Sequence, residues 1–228
     1  MSVSPISAKA MAQLLRLASP MLPVGAFAYS QGMEWAVEEG TITDEESALA
    51  WIADLLCFNT GTLEAPVWRR LYRAWQERDI ESARHWNERF IAIRETAEFR
   101  AETLQMGGAL KAVLDATREI DTGLLDQIES PAFPTAFSFA AHGLGVPLRE
   151  GLTGYLWAWG ENQVSTAMKL VPLGQSSGQR ILVKLIALLP EIVENALVMQ
   201  EDRLSNFAPA LAIASSRHET QYTRLFRS

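Results

Sequence analysis

Apolar residues recur along this chain at three- and four-residue spacing, and proline or glycine cuts each run after roughly ten to twenty residues. No stretch has the sustained period-two alternation of a half-buried strand, and no unit repeats at a fixed spacing of tens of residues. The spacing therefore predicts an all-α fold, a compact multi-helix bundle of about eight to ten helices. With 228 residues, 48% of them hydrophobic, one sizeable core can be filled, and residues 1–228 read as a single domain.

Met11, Leu14, Leu15 and Ala18 follow i, i+3, i+4, i+7 and predict a first buried stripe on a helix from Ser7 to about Ser19, stopped by Pro20. Pro20, Pro23 and Gly25 then force a turn-containing loop, after which Ser30 caps a short helix ending at Gly40. Thr43 and Glu46 read as a capping box that opens a helix burying Leu49, Ile52, Leu55 and Leu56. Pro66 suits a first helical turn, with Val67, Leu71 and Trp75 inward and Arg69, Arg70 and Arg73 pointing away. From Asp79 one long helical pattern runs to Gly107 and Gly108, a pair that marks a helix end or the close approach of another backbone. Residues 117–133 read as a connecting loop or a short isolated helix, and Pro134 opens a helix through Phe137 and Ala141. Residues 148–164 lead into a break, Ile181 to Leu189 form a core helix, and Pro190 restarts another.

That break, KLVPLGQSSGQ over residues 169–179, is the sharpest interruption in the apolar third of the chain. Pro172 lacks an N–H and Gly174 can take a positive φ, so the chain leaves one helix and enters the next within a few residues. The expectation is a buried structural turn at Pro172, Gly174 and Gly178, with Gln175, Ser176, Ser177 and Gln179 satisfying its backbone. A phosphate loop is disfavoured by its Gly-x-x-x-Gly spacing, by Gln179 in the lysine position and by the helix where a strand should precede it.

Chemistry-bearing motifs are sparse. His85, His142 and His218 stand far apart, none in a zinc-binding pattern, so no metal site is predicted. Cys57 reads as a small core residue rather than a nucleophile; a lone cysteine fits a reducing compartment, the cytoplasm. Glu81 with His85, and the charges of RETAEFR at residues 94–100, read as solvated helix faces. The net charge of -7 argues against nucleic-acid binding, and no apolar run approaches the roughly 20 residues of a membrane span. No secretion signal is visible at the N-terminus. No catalytic residue and no cofactor of its own are expected. The tail RHETQYTRLFRS sets Arg217, Arg224 and Arg227 against Glu219, with Tyr222, Leu225 and Phe226 interleaved. Docking on a partner and docking on its own domain both fit that pattern.

Four patches in order, SPMLPVGAFAYSQGMEWAVEEG (19–40), RETAEFRAE (94–102), KLVPLGQSSGQ (169–179) and SSRHETQYTRLFRS (215–228), together resemble the F-type urease accessory protein (UreF) family. Met33, Ala97 and Ser176 depart from its usual residues, and Ala97 interrupts the charges of the second patch. The resemblance implies a non-catalytic scaffold joining the D-type (H-type) accessory protein and the nickel-carrying G-type GTPase on apo-urease, with nickel passing through the complex. It also implies regulation of GTP hydrolysis and a partner-docking tail over residues 215–228, and is compatible with a homodimer. By motif, the partner-binding residues would be Tyr29, Ser30, Gly32, Glu34, Arg94, Glu95, Lys169, Gln175, His218, Glu219, Arg224 and Arg227. The alternative is a GTPase-activating protein that lends Arg94 or Arg227 to its partner's active site.

Overall fold

Ser7 opens the first helix by accepting the Ala10 N–H on its hydroxyl, as its place before the apolar run predicts. The computed structural model describes residues 5–228, and among these every regular element is helical. In chain order the helices are α1 (Ala8–Leu17), α2 (Met33–Glu38), α3 (Glu45–Leu55), α4 (Ala65–Glu77), α5 (Ile80–Ile93), α6 (Ala97–Thr117), α7 (Phe133–Gly143), α8 (Leu148–Leu170), α9 (Gln175–Val198) and α10 (Pro209–His218). Helix α7 is the hub. Pro134 through Ala141 are all buried, and an all-round apolar helix must be enclosed, here by α4, α6 and α8. Trp75 on α4 donates its indole N–H to Ser138 on α7 at 3.0 Å, so the core buries that polar edge with a partner. Helix α9 lies along α8 on the far side. No described helix is long and apolar enough to cross a membrane.

Several sequence expectations shift once the packing is seen. On α1 the inward stripe is Ala10, Leu14, Leu17 and Ala18, whereas Met11 and Leu15 lie on the exposed flank. The capping box is one residue on: Asp44 accepts from Ser47 N, and the Ser47 hydroxyl accepts from Asp44 N, because Asp44 is the residue with extended backbone. Pro66 does begin α4, yet the chain never leaves the helix. Residues 56–64 widen into a π turn, in which Ala65 N–H reaches back five residues to Thr60, and this extra slack accommodates the missing proline donor. Arg69 and Arg70 do not point away. They donate to the carbonyls of Leu197 and Met199 at the end of α9, where orphan acceptors need partners.

The long pattern from Asp79 is two helices, parted at residues 94–96, and the second starts where Thr96 accepts the Phe99 N–H. Gly107 and Gly108 lie inside α6; a Cβ on Gly107 would fall 1.9 Å from the Pro131 oxygen, so close backbone approach accounts for Gly107, whereas Gly108 has open space around it. Pro190 also lies inside its helix. It and Ile186 are on the exposed side of α9, where the carbonyl that the proline leaves without an N–H partner faces solvent rather than the core. The 171–174 turn is not buried at Pro172, Gly174 or Gln175, which are exposed, and Gly174 has φ −75°, which any residue adopts. Val171 at its start is enclosed, and so is Gly178, where a Cβ would meet the Met168 sulfur at 2.4 Å.

Candidate functional site

The tail folds back on the body and is held by the first patch of the sequence. Gly32 makes this possible: it takes φ +76°, and a Cβ there would lie 2.9 Å from the backbone nitrogen of Ser215 on α10. Just ahead of it, Ser30 donates both its N–H (2.6 Å) and its hydroxyl (2.5 Å) to the Ser228 carbonyl oxygen, and Arg227 N–H donates to Ala28 O at 2.8 Å. Glu34, in the first turn of α2, is the principal clamp. Its carboxylate accepts the N–H groups of Leu225 (2.6 Å) and Phe226 (3.0 Å) and faces His218 Nε2 at 3.1 Å. The other ring nitrogen of His218 faces Glu98 at 2.8 Å, and Arg224 pairs with the second oxygen of Glu98 at 2.7 Å. Glu219 accepts from the N–H of Ala97 at 3.0 Å and so caps the start of α6. Phe226 is buried with the Lys169 ammonium 5.6 Å from its ring, a cation–π contact.

Beside the clasp lies a cavity of about 250 Å³ whose polar wall is Glu64, Arg94, Glu102, Gln31, Tyr155 and Trp159, with apolar side chains opposite. The π turn aims Glu64 inward, where it pairs with Arg94 and accepts the Tyr155 hydroxyl at 2.6 Å. Arg94 also lies 4.2 Å from the Phe90 ring centre. Burial opposes the Arg94 charge, but Glu64 more than offsets it and its pKa is raised. Burial first, then Glu64, pushes the Tyr155 hydroxyl well above its usual range. Burial also lifts Glu102 to about 7, against the hydrogen bonds from Gln31 (2.6 Å) and Ser228 (3.1 Å) and the charge of Arg94. Gln31 is held in a left-handed conformation, φ +53°, and also accepts from the Trp159 indole at 2.9 Å.

The structure thus gathers most of the residues singled out by sequence, but with roles that the motif alone did not reveal. Tyr29, Ser30, Gly32, Glu34 and His218 are buried under or beside the tail, and Tyr29 shares the Gln105 side-chain oxygen with Arg227. Arg224, Arg227, Glu219 and Lys169 surround them at the surface. Arg94 belongs to the cavity and is not on a solvated helix face. Glu95 binds Asn206 and Gln175 lies on the exposed turn, both apart from the clasp. Glu64, Glu98, Glu102, Gln31 and Tyr155 were missed. Glu98 and Glu102 sit four apart in a quoted patch, a spacing that could have marked one helix face aimed at a single target.

The fold and this face define a helical protein whose carboxylates Glu34, Glu98 and Glu102 hold its own tail, with the outer side of that tail exposed. Among the described residues, no group of three His, Cys, Asp or Glu is placed to hold a metal. The UreF family model matches residues 42–186, well over half of the chain. A urease accessory protein UreF of Azoarcus sp. is 52% identical over 222 residues, covering 95% of this chain and 94% of that protein. Those of Dechloromonas aromatica and Methylobacillus flagellatus are 50% and 47% identical, each covering 96% of this chain. The chain belongs to the UreF family of urease accessory proteins.

Proposed function

We propose that the chain is a non-catalytic adaptor that bridges the D-type (H-type) accessory protein and the nickel-carrying GTPase on apo-urease, regulates GTP hydrolysis and supports nickel insertion. Nickel is cargo of the assembled complex in this reading, passed on rather than kept. The observation that carries it is the outer side of the docked tail. Tyr222 is fully exposed and Leu225 is 76% exposed, next to exposed Arg224 and Arg227, while their backbone is fixed from below. Aromatic, aliphatic and arginine side chains on an ordered base are the composition of an interface centre, because little entropy remains to be lost on docking. The test is co-purification with the D-type and G-type proteins. The doubly substituted Tyr222→Ala/Leu225→Ala chain should retain its helix content yet fail to retain the GTPase; full retention would refute the reading.

A second reading, activation of the GTPase by a donated arginine, is favoured at one position only. Arg94 is locked against Glu64 in the interior, whereas the Arg227 guanidinium is exposed, with a 3.4 Å contact to Gln105 and the Tyr29 hydroxyl beside it. If Arg227 completes the partner's active site, Arg227→Ala lowers GTP turnover by about a thousandfold or more in a fully assembled complex. Unchanged turnover at equal assembly refutes the donated arginine.

A further inference from the structure

We propose that the tail is a proton-controlled strap, held down over Glu102 while that carboxyl carries a proton and loosened as it ionises. Glu102 lies on α6 beneath the last residue of the strap, only 7% exposed, with one oxygen against Gln31 and the other against the Ser228 hydroxyl. A hydroxyl can accept from a carboxylic acid or donate to a carboxylate, so the contact itself survives both states. What changes is the cost of keeping water away. Arg94 is already paired with Glu64, so two buried carboxylates share one guanidinium, and a second full negative charge is expensive to enclose. Lifting Ser228 lets water reach the carboxyl and removes that cost.

The groups that face this carboxyl come from every neighbouring element. Glu64 comes from the π turn, Arg94 from the α5–α6 link, Tyr155 from α8, Gln31 and Tyr29 from the loop before α2, and Ser228 from the strap. A second titratable group, His218 between Glu34 and Glu98, lies under the same strap. With the strap down, Glu102 titrates near 7, chiefly from burial. In water it returns toward the ordinary glutamate value of about 4.3. A raised carboxyl pKa means that docking takes up a proton, so strap closure is most favoured below about pH 4.3, weakens as pH rises from there, and levels off once pH has passed through about 7. Between about pH 6 and about pH 8 the docking constant falls about tenfold.

That the strap governs partner recruitment rests on the adaptor reading; the strap itself is a property of the isolated chain, so either idea can fail without the other. The experiment is hydrogen exchange at the Leu225 and Phe226 amides of the isolated full chain, normalised to intrinsic rates at about pH 6 and about pH 8. Protection should fall about tenfold in the native chain. In Glu102→Gln, which keeps the shape and stays neutral, protection should not change with pH. Ser30→Ala, which loosens the strap through a different contact, should lower protection at both pH values and keep the slope. A flat native profile overturns the proposal. A slope that survives Glu102→Gln overturns it too, by placing the effect elsewhere.

Discussion

Glu64→Gln isolates the energetics of the buried cluster. Side-chain exposure is 6% for Glu64 and 9% for Arg94, so neither charge has water to fall back on. Glutamine preserves volume and leaves an oxygen for the Tyr155 hydroxyl, but it takes away the ion-pair partner of Arg94, whose Nε already lacks a hydrogen-bond partner, and leaves it only the more distant Glu102, itself lifted to about 7 by burial. Stranding one member of a buried pair costs about 3–5 kcal/mol, a large share of the roughly 5–15 kcal/mol that holds a typical domain together. For a chain of this length each kcal/mol moves Tm by roughly 2–4 °C, so Tm should drop by roughly 6–20 °C. Thermal and urea unfolding followed by circular dichroism measures both. The double variant Glu64→Met/Arg94→Met removes the stranded charge as well and should recover most of the loss. A loss below about 1 kcal/mol for Glu64→Gln, the value of an exposed pair, would refute the reasoning.

Two further perturbations test the fold. Gly107→Ala should destabilise by about 1–3 kcal/mol, because its Cβ collides with the Pro131 carbonyl; Gly108→Ala, with nothing within 4 Å, should stabilise by about 0.5–1 kcal/mol. Urea midpoints moving in opposite directions would confirm this. Glu45 is held at about 2 by hydrogen bonds from Arg180 first and then Ser177, tying the start of α3 to the start of α9. A depressed carboxyl contributes stability that is present above its ordinary value and lost as pH falls through 2. Glu45→Gln should therefore trail the native chain at neutral pH, with the gap closing between about pH 5 and pH 2 in acid unfolding curves.

Helix type and most helix starts were legible because caps and prolines act locally: Ser7, Asp79 and Pro134 stand where the sequence put them. Asp44 with Ser47 and Thr43 with Glu46 share the same spacing, and only backbone geometry decides between them. The break at residues 94–96 was hidden because helical spacing of apolar residues continues across it. The charges were least legible. Glu98 and Glu102 look like a solvated i, i+4 face until His218, Arg224 and Ser228 arrive from more than a hundred residues away. Glu34 gave no sign that its partners would be backbone N–H groups near the end of the chain. The turn at Pro172 and Gly174 was misread as buried because its neighbours are apolar, although the helices it joins bury those residues without burying the turn.

The central claim is that the buried motif residues act by holding the tail, and the exposed arginines act by meeting the partner. The most direct measurement pairs GTPase retention in the reconstituted complex with hydrogen exchange at Leu225 and Phe226 in the isolated chain, for Glu34→Gln and Arg227→Ala. Glutamine at 34 offers one acceptor where two amides need it, so Glu34→Gln should lose both tail protection and the GTPase. Arg227→Ala should lose the GTPase while the tail stays protected. A Glu34→Gln chain that keeps its protected tail yet drops the GTPase would contradict the account, as would an Arg227→Ala chain that retains it.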